Sequence, residues 1–265
     1  MLTIIALYLG LGAVAGVLAG LLGIGGGLVI VPLLVFAFTW QGLPPEHLMH
    51  LALGTSLASI IFTAVSSFMA HHKRGAVRWE VVGRITPGAL IGTLAGTFLA
   101  AALSTAFLKI FFALFLYFVT WQMLSGRKPQ PGRELPGTAG MLGVGGGIGV
   151  FSSLVGIGGG TLSVPFMLWC NIGLHQAIGT SAAIGFPIAV AGTIGYLLNG
   201  WQVTELPAWS LGYIYLPALA GIVAASVFTA PWGVRLAHSL PVAKLKKVFA
   251  ILLLAVATRM LWTAL

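Results

Sequence analysis

Gly23-Ile24-Gly25-Gly26-Gly27 sits inside an apolar stretch and is followed by Pro32; Gly156-Ile157-Gly158-Gly159-Gly160 sits inside another and is followed by Pro165. Glycine lets the backbone take positive φ and lets a ligand come close to the amides. A helix that starts just past such a break aims its unpaired N–H groups and the positive end of its dipole at the gap, an arrangement suited to an anion. The amides of Gly25, Gly26 and Gly27, and of Gly158, Gly159, Gly160 and Thr161, are therefore candidate anion ligands. Proline favours the first helical position, so each short helix starts either after the glycines or at the proline. The plainer alternative is that small residues here only allow close helix packing. Two copies at matching positions, each trailed by proline, favour the break.

A second duplicated element is Gly54-Thr55-Ser56 and Gly179-Thr180-Ser181. Hydroxyls of Thr55, Ser56, Thr180 and Ser181 can donate to an anionic oxygen, or can bond their own helix and a neighbouring one. His50 and His175 precede the triplets at equivalent positions, where an imidazole can titrate near neutral pH and carry a proton, or simply sit at an interface. A serine-histidine catalytic pair on one helix is excluded. The six-residue spacing separates the two by ~9 Å along the axis, beyond hydrogen-bond reach.

These elements sit in a chain of 265 residues, 58% hydrophobic and 6% charged. Soluble domains average about 25% charged residues, so the composition is that of an integral membrane protein. Apolar runs are continuous, which excludes a β-barrel pattern. The net charge of +9 lies in short patches between apolar runs, as topology signals do, and implies no nucleic acid. Cys170 is the only cysteine, so no intrachain disulfide or CxxC pair exists. The opening residues lack a basic n-region, and no cleaved signal peptide is expected.

The chain contains no Asp, and its four acids, Glu46, Glu80, Glu134 and Glu205, fall in expected loops or span ends. A cation carrier places carboxylates at depth; a neutral, donor-rich lining suits an anion. No cofactor and no metal-ligand set is expected.

The polar stretch 125–137 divides the chain into a first repeat, 1–124, and a second, 138–265, with the stretch itself as a cytoplasmic linker. Beyond the glycine and GTS elements, Pro87 is matched to Pro217 and Leu108-Lys109 to Leu245-Lys246. Full spans are expected at about 48–70, 86–103 and 107–124, and at about 175–198, 209–230 and 245–262. The loop after the first span carries Lys73, Arg74, Arg78 and Arg84, whereas its counterpart around 199–208 carries Glu205 and no basic residue. Basic loops thus alternate between repeats, which places the repeats in opposite orientations with both termini outside. Inversion needs an odd number of crossings, so each glycine segment is expected to be a broken, re-entrant hairpin. The expected fold is all-α, with two inverted repeats of one hairpin and three spans each. Trp40, Trp79, Trp121, Trp201, Trp209, Trp232 and Trp262 fall near span ends, as interfacial rings do.

The doubled GIGGGLVIVP and GIGGGTLSVP with their GTS triplets resemble the TauE/SafE sulfite-exporter family of membrane permeases over nearly the whole chain. The resemblance implies a plasma-membrane transporter of small sulfur-containing anions, including sulfite and organosulfonates such as sulfoacetate. Family members often carry an acid after the glycine-valine of the first cytoplasmic loop; here RGAVRW has Arg78 there. Rival expectations are a transporter of a carboxylate or a metal, and a non-transporting membrane assembly subunit.

Overall fold

The computed structural model describes residues 2–22, 26–125, 132–239 and 242–264. These form ten helices: α1 (Leu2–Leu22), α2 (Gly27–Trp40), α3 (Leu48–Lys73), α4 (Trp79–Ala101), α5 (Thr105–Ser125), α6 (Thr138–Val155), α7 (Gly160–Trp169), α8 (Leu174–Gly200), α9 (Leu216–Ser239) and α10 (Val242–Trp262). One short antiparallel ribbon, β1 (Ser210–Leu211) with β2 (Ile214–Tyr215), precedes α9. The chain is an all-α membrane protein. Among the described residues, α3, α4, α5, α6 and α8 are long and apolar enough to cross a bilayer. By contrast α2 and α7, at ~21 and ~15 Å, fall short of ~30 Å of hydrocarbon.

The glycine segments are hairpins whose feet share one end. At the foot of the first, the Gln41 side-chain amide donates to the Tyr8 hydroxyl, 2.6 Å, and the Tyr8 and Phe38 rings meet edge-on. At the foot of the second, the Gly132 N–H donates to the Trp169 carbonyl, 3.2 Å, and the Arg133 guanidinium lies 4.9 Å over the Trp169 ring. The short helices start at the last glycine of each motif, Gly27 and Gly160, and not at the prolines. Pro32 and Pro165 lie inside α2 and α7.

Helix directions follow from the closest approaches. Gly54 faces Tyr196 and Gly192 faces Leu57, so α3 and α8 run antiparallel. Gly12 abuts Ile222 and Gly16 abuts Ser226, so α1 and α9 run parallel. Gly88, Gly92 and Gly96 abut Leu142, Gly146 and Val150, so α4 and α6 also run parallel. The pair α1 with α9 becomes α6 with α4 when the first five helices are exchanged for the last five. The turns at 41–47, 102–104 and 201–215 gather where α3 begins. The turns at 74–78 and 170–173 gather at the opposite end, where α9 ends and α10 begins.

Three sequence expectations need correction. The span expected at 209–230 is α9 at Leu216–Ser239, because 210–215 fold into the ribbon. The span expected at 86–103 begins at Trp79, because Glu80 and Arg84 pair across one helical turn, 2.7 Å, and extend the helix through a polar start. Pro87 and Pro217 are also not equivalent. Helix α4 starts 137 residues before α9, as α5 does before α10, whereas the prolines are 130 apart.

Candidate functional site

The two hairpin tips meet. A β-carbon on Gly27, the first residue of α2, would stand 2.6 Å from the Gly156 carbonyl oxygen and 3.0 Å from the Ile157 Cα. Such proximity is possible only for glycine. Gly26, Gly156 and Gly159 have φ of 69°, 67° and 76°, the left-handed region that turns each chain from one arm of its hairpin into the other. Gly25 lies outside the described residues.

Around the second tip the polar groups converge. Leu162 and Ser163 donate to the Gly159 carbonyl, which closes the first turn of α7. The amides of Gly158, Gly159, Gly160 and Thr161 meet no acceptor among the described residues, as expected of a helix start. Ser152 Oγ would lie 3.4 Å from a β-carbon on Gly159; it is fully buried and has no partner among the described residues. Thr161 Oγ1 is likewise shut from solvent without a partner. Ser163 and Ser181 share a hydrogen bond, 2.8 Å, donated by Ser163, which leaves the Ser181 hydrogen free to point elsewhere. Ser56 donates to the Gly156 carbonyl, 2.8 Å, and so braces the tip. No carboxylate is near: Glu46, Glu80, Glu134 and Glu205 are all exposed. Unpaired amides at a helix start, with the Ser152 hydroxyl beside them and no negative group, can hold an anion by hydrogen bonds strengthened by the helix dipole.

The GTS triplets divide their work. Adjacent residues on a helix point about 100° apart, so Thr and Ser face different neighbours. The Tyr215 N–H donates to Thr55 Oγ1, 2.9 Å, and the Arg78 N–H donates to Thr180 Oγ1, 2.9 Å. Beside them, β-carbons on Gly54 and Gly179 would stand 2.3 and 2.5 Å from the Tyr213 and Ala76 carbonyls. Each Gly-Thr pair therefore receives the chain that leads into the long helix of the other half: Gly admits a carbonyl, and Thr accepts the amide two residues on. Thr55→Val should lower unfolding stability by about 1–3 kcal/mol, because it strands the amide of buried Tyr215. Thr180→Val should cost less, since Arg78 is half-exposed and water can replace the lost acceptor. Unfolding of both variants in detergent measures the difference.

The histidines are not equivalent in their surroundings. His50 is buried, its Nε2 lies 3.0 Å from the Ala100 carbonyl, and its ring stacks on Tyr213 at 5.0 Å. His175 is exposed on the first turn of α8. Neither is among the groups gathered at the tips.

The chain matches the family described as sulfite exporter TauE/SafE across residues 8–260. It belongs to that family. A probable membrane transporter protein of Haemophilus influenzae is 42% identical over 98% of this chain and 99% of its own length. The probable membrane transporter protein YunE of Bacillus subtilis is 28% identical over 72% of this chain and 77% of its own. That of Methanocaldococcus jannaschii, MJ0441, is 25% identical over 89% and 87%. No solved structure matches. Membership makes the chain a membrane transporter by family.

Proposed function

We propose that this chain is a secondary transporter that moves small sulfur-containing anions, sulfite or an organosulfonate such as sulfoacetate, across the plasma membrane. The anion binds where the tips of the two hairpins meet. The observation that carries this reading is the set of unpaired donors at the start of α7: the amides of Gly158 to Thr161 with the partnerless hydroxyls of Ser152 and Thr161, while all four glutamates are exposed. The family's description as a sulfite exporter supports the sulfur oxyanion over a carboxylate. Gly26 and Gly27 at the start of α2 and the Ser181 hydroxyl complete the binding region, while Ser56 braces the tip through the Gly156 carbonyl.

The halves are read as inverted copies, since the equivalent helices α3 and α8 run antiparallel. Alternating access then comes from rocking one half against the other about the tips. Lys73, Arg74, Arg78, Arg84 and Arg133 all belong to one end, together with Arg235 in the last turns of α9 and Lys244, Lys246 and Lys247 in the first turns of α10; Lys109 and Arg259 belong to the other. By the positive-inside rule the first end is cytoplasmic and both termini are outside.

The test is flux into proteoliposomes with sulfite, sulfoacetate and acetate. Sulfite or sulfoacetate should move, and acetate should not. Hydrogen bonds to charged groups are worth about 1.5–3 kcal/mol. Ser152→Ala and Thr161→Val should therefore each weaken substrate binding at least tenfold without lowering the melting temperature. Unchanged affinity in both variants removes the site from the tips. Transport of acetate in place of the sulfur anions gives the carboxylate reading instead.

A further inference from the structure

Two of the four carboxylates in this basic chain converge at the end where α3 begins. Glu46 and His47 close the α2–α3 turn in one half, and Glu205 lies in the α8–α9 turn of the other. One ligand atom from each falls within 4.8 Å of the other two. Neither Glu46 nor Glu205 joins an ion pair; among the described residues the one ion pair is Arg84 with Glu80. Glu46 and His47 are held in place from behind. Thr105 donates to the Glu46 carbonyl, and the His47 ring lies tilted against Tyr213 at 5.8 Å. His47 Nδ1 is shut from solvent and has no hydrogen-bond partner among the described residues. Fully buried His50, its ring 6.2 Å from that of His47, also has a partnerless Nδ1.

We propose that Glu46, His47 and Glu205 form a binding site for a divalent transition metal of the Zn²⁺ type that bridges the two halves. The donor set selects the metal. An imidazole with two carboxylates suits Zn²⁺ and its neighbours, whereas Mg²⁺ and Ca²⁺ prefer oxygen alone. Three protein ligands leave a fourth position for water. Ligand atoms about 2.1 Å from a tetrahedral ion stand ~3.4 Å apart, so the set closes by about an ångström. Exposed glutamate side chains make that adjustment by rotation. The dication also offsets the repulsion between two carboxylates left without a basic partner. Because its ligands come from both halves, the metal favours the arrangement in which these turns lie together, and it should slow any motion that parts them.

The experiment is a thermal-unfolding titration of the purified full-length chain with Zn²⁺, and with Mg²⁺ as control. The melting temperature should rise with Zn²⁺ and stay level with Mg²⁺. Glu205→Gln, an isosteric change in an exposed turn, should weaken the Zn²⁺ response at least tenfold in concentration. Glu46→Gln should do the same, and His47→Ala should abolish it. No rise in the wild-type chain overturns the proposal. So does an equal rise with Mg²⁺, or a response that survives in Glu205→Gln and Glu46→Gln. None of these readings depends on which anion is carried.

Discussion

Gly92→Leu should yield no monodisperse protein after detergent extraction, whereas Gly83→Leu on the same helix should purify as the wild type does. A β-carbon on Gly92 would stand 2.1 Å from the Gly146 carbonyl oxygen and 2.7 Å from the Gly146 Cα. Those are backbone atoms of α6, and they cannot rotate away. The two helices would have to part along the whole contact that runs from Gly88 with Leu142 to Gly96 with Val150. In a membrane such contact is the main attraction between helices, because lipid tails already satisfy apolar side chains. Overpacking a core costs about 1–3 kcal/mol where side chains can yield; against backbone the cost should exceed ~4 kcal/mol. Gly83 has open space within 4 Å, so leucine there meets only lipid or solvent. Equal yields and gel-filtration profiles for the two variants would mean that the α4–α6 contact does not hold the halves together.

That contact leaves a trace in the sequence, the small-residue run Gly88-x-x-x-Gly92-x-x-x-Gly96, but nothing in the sequence names its partners Leu142, Gly146 and Val150. The breaks themselves were legible because four glycines and a following proline recur at matching places in two apolar runs. The alternation of basic loops was legible too, since few charges are present and each one counts. Element boundaries were harder. Residues 209–215, with Trp209, Tyr213, Ile214 and Tyr215, are as apolar as a span, and only their pairing through Ser210 with Tyr215 makes them a ribbon. The start of α4 was hidden by Glu80 and Arg84, which lower the hydropathy but neutralise each other.

Part of the candidate site can be picked from the sequence. Glycine amides and Ser181 could be picked from the repeat, because equivalent residues stand at equivalent tips. Ser152 could not. It is an ordinary serine within α6, and only the fold of the second hairpin brings its hydroxyl beside Gly159. Thr55 and Thr180 show the converse. Their duplication marks a real task, but the task visible in the structure is to receive the amides of Tyr215 and Arg78 from the opposite half. Repetition thus identifies residues under a shared geometric demand, and the demand can be docking as readily as binding. Glu46, His47 and Glu205 carried no sequence signal at all, because the turns that join them belong to different halves.

Gly159→Ala should leave the chain folded and cut transport at least tenfold in kcat/KM. The backbone there has φ 76°, and placing alanine in that region costs roughly 1–2 kcal/mol. The new methyl would stand 2.8 Å from Ile188 Cδ1 and 3.1 Å from Ile148 Cγ2, both ends of side chains that can shift. It would also stand 3.4 Å from Ser152 Oγ, in the space between that hydroxyl and the first amides of α7. An anion held by those groups loses its place. Strain alone would be a competing explanation, and Gly42→Ala removes it. Gly42 has φ 69° and nothing within 4 Å of its β-carbon position, at the foot of α2 and away from the tips. The two variants should lose similar stability, read as a drop of several degrees in melting temperature. Only Gly159→Ala should lose flux per folded molecule. If both transport equally well, backbone strain is all that the left-handed glycine relieves, and the anion must be bound elsewhere.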